Sequence, residues 1–442
     1  MTKYLIYTLL LTTLVLNACK KGDYRAYTGN PALFRVTEKK LNDVVLENNF
    51  PPVIASRNYA YANIAAFEVI AAGDPKKFHS MAGQIAHLKP VPKPAAKDID
   101  FPFAALLAFC EVGNAVTFPE GSMMDYVAEL KTRADSAGMP SEVMKNTEEY
   151  ASVVSKHILD WSKGDNYAQT RSASKFSVRD QEGRWIPTPP MYGQALEPHW
   201  QEIRPFVIDS AMMHDAPPPV PYNMADTTSR YYKEVMALKK TGENLTDEQK
   251  HIAEFWDDLN TKLNVTGHVS YMTKKFSPPG HWMNIVGIAA QKANADFGTT
   301  VMAYAKTSIA IFDGFIECWA IKFKYNTVRP ETVINKKVDP EWRPFLQTPP
   351  FPEYTCGHST ISAAAAEALT GVFGDNFAYR DSSEREFGIP DRSFKSFRAA
   401  AMENVWARFY GGIHYHYSCV EGNEKGRLVG DRVNEQLKTQ VK

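Results

Sequence analysis

Cysteine is scarce: the chain has five in 442 residues, and no two are spaced as Cys-x-x-Cys. That excludes a zinc ribbon and a dithiol redox motif. An excess of one charge is also missing. Lys plus Arg is 50 and Asp plus Glu is 50, so nothing in the total invites nucleic acid as a partner. Beyond the N-terminal segment there is no run of about 18 apolar residues of the kind that crosses a bilayer. No unit recurs at a fixed period, and no heptads are sustained. Strand patterns do not alternate with helical ones, which excludes a parallel α/β sheet.

The N-terminus reads as a targeting segment. Lys3 precedes an apolar run from Tyr4 to Leu16, too short to span a bilayer and suited to a signal-peptide core. Leu16-Asn17-Ala18-Cys19 resembles a bacterial lipobox. The resemblance implies a signal peptide over 1–18, lipid on the Cys19 thiol and a mature chain tethered to the cell envelope outside the cytoplasm. Residues 19–50 are expected as tether and lead-in, and 51–442 as one large helical domain. An oxidising compartment permits disulfides. Cys356 and Cys419 are the pair that could approach, and Cys110, Cys318, Cys356 and Cys419 read best as buried free thiols.

Helical spacing dominates the body. Apolar positions predict helices over Ser56–Ala72, Phe103–Val116, Met123–Ala137 and Ser141–Trp161 within 51–163. Residues 164–226 are dense in proline, which forbids long helices and makes a crossover, either on the surface or as a rim around a pocket. Lys175–Val178 and Arg184–Ile186, around Gly183, suit a small hairpin. Helices resume in 227–442, at Thr227–Lys240, Thr246–Lys262, Ala303–Lys324, Ser359–Phe373, Ser393–Phe409 and Glu424–Lys438. Thr246-Asp-Glu-Gln249 fits a capping box. The fold class is therefore all-α, a helical bundle with a proline-rich crossover.

Three stretches supply parts for a tetrahedral oxyanion pocket. Lys322-Phe-Lys-Tyr-Asn-Thr-Val-Arg329-Pro330 sets two cations about two helical turns apart. Like charges held together favour an anion between them. Thr355-Cys356-Gly357-His358 brings an extended segment to a helix start, whose free amides face an anion. Arg408-Phe-Tyr-Gly-Gly-Ile-His414 breaks a helix at two glycines and turns His414 back. One imidazole can attack or ligate a central atom while the other moves a proton. Read singly, each stretch is also a basic helix end, a helix cap or a packed histidine.

Together, in this order and spacing, they resemble the superfamily of vanadium-dependent haloperoxidases and type 2 phosphatidic acid phosphatases. The superfamily motifs run Lys-x6-Arg-Pro, Pro-Ser-Gly-His and Ser-Arg-x5-His-x3-Asp. Similarity to bacterial haloperoxidase-like lipoproteins extends to Pro279-Gly280-His281-Trp282 and Phe351-Pro352-Glu353-Tyr354-Thr355. The resemblance implies that Lys322, Arg329, Arg408, Cys356 and the Gly357 amide hold the oxyanion. It implies His358 as acid–base partner and His414 as ligand of vanadate, or as a phosphorylated nucleophile. Cofactor and substrates would be vanadate with peroxide and halide, or a phosphomonoester with no cofactor. Two further readings are a non-catalytic oxyanion binder and a zinc site of Cys356, His358, His414 and Cys419, against which the cations Lys322, Arg329 and Arg408 argue. Three positions depart from the pattern: Cys356 stands for serine, Ala407 for serine and Ser418 for aspartate. The last leaves His414 without an orienting carboxylate, for which Glu421 and Asp313 are candidates.

Overall fold

The structure is a computed structural model that describes residues 23–118, 122–259, 262–266 and 268–441. Among the described residues lie fifteen α-helices, two short 3₁₀ turns and two two-stranded hairpins. The chain opens with α1 (Tyr24–Thr28) and α2 (Pro31–Glu47). Asn30 caps α2 by accepting from the Ala32 amide at 2.9 Å, and Pro31 sits at the first helical position. Phe34, Leu41, Val44 and Val45 of α2 are buried in the main core. Part of the expected tether and lead-in is thus a structural helix. Its apolar residues recur at helical spacing, a signal diluted by the polar face. Cys19 and the signal segment lie outside the described residues.

Four helices follow: α3 (Pro52–Gly73), α4 (Phe101–Thr117), α5 (Ser122–Ser136) and α6 (Ser141–Ser162). Alanines at 55, 60, 62, 65, 66 and 71 keep α3 thin enough to be buried on every side, from Val53 to Ala71. The crossover then carries α7 (Tyr167–Thr170) and a 3₁₀ turn at Trp200–Glu202. After it come α8 (Arg230–Glu243), α9 (Asp247–Phe255), α10 (Pro278–Lys292) and α11 (Phe297–Tyr325). The Thr246–Gln249 capping box forms as expected, but α9 stops at Phe255 rather than near Lys262. The set closes with α12 (Pro330–Lys337), α13 (Gly357–Phe373), α14 (Phe397–Tyr410) and α15 (His416–Gln436). No described helix is long and apolar enough to cross a membrane.

The expected hairpin around Gly183 does not form. Its second arm pairs elsewhere: the Trp185 amide donates to the Asn326 carbonyl and the Val328 amide to the Gly183 carbonyl. The 326–328 strand-like turn offers those partners, and sequence periodicity cannot see a partner 140 residues away. The hairpins are instead β1 (Lys262–Thr266) with β2 (Val269–Thr273), and β3 (Tyr379–Asp381) with β4 (Arg392–Phe394), both antiparallel. The crossover behaves as a rim. The amides of Phe206, Val207 and Ile208 all donate to the buried Asp313 carboxylate of α11, at 2.8, 2.7 and 3.0 Å. Trp319 Nε1 donates to the Leu196 carbonyl at 3.1 Å and the Tyr354 hydroxyl to the Pro217 carbonyl at 2.7 Å. It is thereby fastened to the end of α11 and to the segment leading into α13.

Candidate functional site

Helix α11 delivers Lys322 in its last turn, then stops where Asn326 takes a left-handed conformation (φ 47°). The turn leads to Arg329, which caps α12 ahead of Pro330. Helix α14 delivers Arg408 in its last turn. The chain then reverses at Gly411-Gly412. Gly412 has φ 76°, and a Cβ there would stand 3.2 Å from the Pro344 side chain, so glycine is required on both counts. The reversal returns His414 to the ends of α11 and α13.

The three cations are buried: Lys322 and Arg329 are 0% exposed and Arg408 1%. Lys322 Nζ donates to the carbonyls of Pro352 and Glu353 at 2.8 and 2.9 Å, which leaves one of its protons uncommitted. Arg329 donates through Nε to the Phe351 carbonyl at 2.8 Å and through Nη1 to the Ile413 carbonyl at 2.9 Å. Arg408 Nη1 donates to the Trp256 carbonyl at 2.8 Å. Neutral carbonyls therefore hold the guanidinium planes while Arg329 Nη2 and Arg408 Nε, both buried, have no partner. Burial pushes Lys322 down to about 8 and Arg329 down to about 10.

His414 is 2% exposed and held at both ring nitrogens. Nδ1 lies 2.8 Å from Glu353 Oε1, and Nε2 lies 3.0 Å from Arg329 Nη1. A carboxylate accepts and a guanidinium donates, so the proton sits on Nδ1 and Nε2 carries the lone pair. The same Glu353 oxygen also accepts from the Tyr415 amide at 3.3 Å. Glu353 is therefore the orienting carboxylate, not Glu421 or Asp313. Glu421 pairs with Lys425, and Asp313 is occupied by the crossover amides. The signal was present in Phe351-Pro352-Glu353-Tyr354, an acid inside an otherwise apolar, proline-bounded run. Its pairing with a residue 61 positions away was not.

Cys356 is the N-cap of α13 and gives no side-chain cap, so the amides of Gly357, His358 and Ser359 find no acceptor among the described residues. His358 stands at this entrance with Nε2 buried and unpartnered. Burial, then the Arg408 cation, hold its imidazole well below the usual histidine range, so it is neutral. Burial pushes the Cys356 thiol up, but a hydrogen bond with Cys419 and the His414 and His358 rings outweigh it and hold the sulfur well below the usual thiol range. Cys419 is pushed up in turn by burial and by that neighbour. The four described cysteines are buried and free, as the sequence reading favoured. Lys322, Arg329, Cys356, Gly357, His358, Arg408 and His414 thus all meet at the junction of α11, α13, α14 and α15.

The family description "VCPO second helical-bundle domain" matches residues 302–442, the span that carries all of these side chains. The whole chain is similar to the crystal structure of a bacterial vanadium-dependent iodoperoxidase. The two share 40% identity over 93% of this chain and 98% of that one, with a TM-score of 0.87. This chain belongs to the vanadium-dependent haloperoxidase family. The same fold is present in the holo form of a bacterial vanadium-dependent chloroperoxidase, at 18% identity over 88% of this chain and 92% of that one, TM-score 0.63. It is present in an apo form too, at 16% identity over 87% and 94%, TM-score 0.64. No curated protein matches the sequence. Against the superfamily pattern, Cys356, Ala407 and Ser418 remain this chain's departures, and Glu353 fills the carboxylate role that Ser418 leaves open.

The residues present fit vanadate. A tetrahedral oxyanion needs donors from several sides and positive charge to offset its own. The site has three buried cations, unpartnered N–H groups on Arg329 and Arg408, an unpartnered His358 Nε2, and a helix N-terminus without acceptors. His414 Nε2, whose lone pair faces Arg329, is suited to bind the central atom.

Proposed function

We propose that this haloperoxidase-family chain binds vanadate and oxidises a halide with hydrogen peroxide. The observation that carries the reading is the set of buried cations gathered around an imidazole whose tautomer Glu353 fixes. Lys322, Arg329, Arg408 and the Gly357 amide would hold the oxygens of the anion, and His414 Nε2 would be the ligand. Bound vanadate supplies a Lewis acid that polarises peroxide. Arg329 and Lys322, already fixed by backbone carbonyls, spend little freedom in meeting the anion. Glu353 accepts from Nδ1 and raises the basicity of Nε2. His358, kept neutral by burial and the Arg408 cation, is placed to take and return a proton at the entrance of α13.

Cys356 replaces the family's hydroxyl donor with a sulfur held well below the usual thiol range, which offers the anion no comparable donor. It also stands where peroxide would oxidise it, which favours a modest turnover number over many cycles. A second reading uses the same pocket for hydrolysis of a phosphomonoester through phospho-His414. Glu353 favours it, because an oriented imidazole is what that chemistry requires.

The deciding experiment adds orthovanadate, peroxide and bromide or iodide to the purified protein with a phenolic acceptor, beside a phosphate-release assay. Vanadate-dependent halogenation that His414→Ala abolishes supports the peroxidase. Phosphate release without halogenation supports the phosphatase. Vanadate binding with neither activity would leave an oxyanion binder. We further propose that Leu16-Asn17-Ala18-Cys19 directs lipidation and envelope anchoring; loss of labelled fatty acid in Cys19→Ser is the expected result.

A further inference from the structure

His281, in the first turns of α10, is 0% exposed and surrounded by acids. Its Nδ1 lies 2.9 Å from Asp258 Oδ1 and 3.7 Å from Glu384 Oε1, and its Nε2 lies 3.0 Å from Asp381 Oδ2. All three carboxylates are buried. Oδ2 of Asp258 and both oxygens of Glu384 are buried without any hydrogen-bond partner. A single imidazole cannot balance three carboxylates even when charged, and an unpartnered carboxylate in the interior is costly. One ligand atom each from Asp258, His281 and Glu384 lies within 4.8 Å of the others. Three ligands on one ion with bonds of about 2.0–2.2 Å stand roughly 3.3–3.7 Å apart, so side-chain shifts of up to about an ångström complete the set.

We propose that Asp258, His281 and Glu384 form a binding site for a divalent first-row transition-metal ion, with Mn²⁺ and Zn²⁺ the ions its donors suit. One imidazole nitrogen with two carboxylates is the mixed donor set those ions take. His281 Nδ1 gives its lone pair to the ion, and Nε2–H donates to Asp381. Asp381 is itself fixed by the Ser383 amide at 3.0 Å and the Ser383 hydroxyl at 2.6 Å. Such a carboxylate behind a ligating histidine sets its tautomer and orientation. The ion would join the loop after α9, the start of α10 and the segment after β3. The Trp256 ring stacks on His281 with centroids 4.8 Å apart, and its carbonyl holds Arg408. The metal thus steadies one wall of the oxyanion pocket without touching the oxyanion, and the inference does not depend on the proposed activity.

The test strips the full chain with a chelator and titrates Mn²⁺ and Zn²⁺ by calorimetry, with thermal unfolding followed in parallel. Wild type, Glu384→Gln and Asp258→Asn are compared; both changes keep side-chain shape, so folding is preserved where His281→Ala could lose it. Cys356→Ser is included with Zn²⁺ because a thiol could capture it. The expected result is about one equivalent of metal bound at least tenfold more tightly by wild type and Cys356→Ser than by Glu384→Gln or Asp258→Asn. A rise in melting temperature with metal should be confined to the first two proteins. No binding in wild type, or equal binding in Glu384→Gln, would overturn the proposal and leave a buried network of shared protons.

Discussion

Glu353 does in this chain what an aspartate four residues past the ligand histidine does in the superfamily pattern. The substitution moves the carboxylate from α15 to the extended segment before α13 and keeps the Nδ1 contact at 2.8 Å. Glu353→Gln preserves size and still accepts from Nδ1–H, but removes the charge that makes Nε2 a better donor to the central atom. Vanadate affinity or turnover should fall roughly 10–100-fold, with the Michaelis constant for halide unchanged. Steady-state kinetics read both quantities. Lys322 gives a pH prediction. Burial lowers its ammonium to about 8, and the charged form is the one that binds an anion. Below that pH the lysine arrives charged; above it, binding must first take up a proton. Vanadate affinity should therefore decline as pH rises through about 8, with proton uptake appearing in calorimetry only on the alkaline side. Lys322→Met should lose that dependence along with much of the affinity.

At the scale of elements, the pocket depends on how closely α13 and α15 approach. Gly422, Gly426 and Gly430 recur every fourth residue on α15 and form a side-chain-free stripe. A Cβ at Gly422 would stand 2.7 Å from the Cys356 carbonyl, and one at Gly426 would overlap the Thr360 carbonyl. Backbone carbonyls cannot rotate away as a side-chain end can. Gly426→Ala must push α13 outward and carry Cys356, Gly357 and His358 with it. Its cost should be on the order of 1–3 kcal/mol of stability, the range for an overpacked core. Vanadate affinity should drop more than in a variant of equal melting temperature made far from the site. Measuring melting temperature and affinity together separates the two effects; undiminished affinity would show that the helix pair can absorb the methyl group.

For the whole molecule, the main core is continuous from Phe34 on α2 to Leu437 beyond α15. Helix α3 is buried over nearly its full length, with α4 and α11 among its neighbours. Removing the N-terminal helices would uncover an apolar face of α11, the helix that carries Lys322. A fragment over residues 246–442 holds every proposed oxyanion contact yet should be unfolded or aggregated, with lost near-ultraviolet circular dichroism and no vanadate binding. A soluble, vanadate-binding fragment would show two independent units instead of the single domain we propose for 51–442.

Helix content was legible because spacing, proline breaks and caps are local. Ser141, the Thr246 capping box and the stop of α13 at Gly374 fall within a residue or so of expectation. Helix α2 gives a weak sequence signal because half of its face is polar, and the end of α9 is set by tertiary contacts, with the Trp256 carbonyl on Arg408 and Asp258 buried. Residues Lys322, Arg329, Gly357, His358, Arg408 and His414 were legible because the chemistry fixes residue type and spacing within each stretch. What the sequence by itself determined was the inventory of cations and imidazoles and the local turns that present them. Only the tertiary structure decided which carboxylate meets His414, where residues 183–185 pair, and that His281 lies among three acids. Those contacts join residues on separate elements, 23 to 145 positions apart, and no local preference encodes the partner.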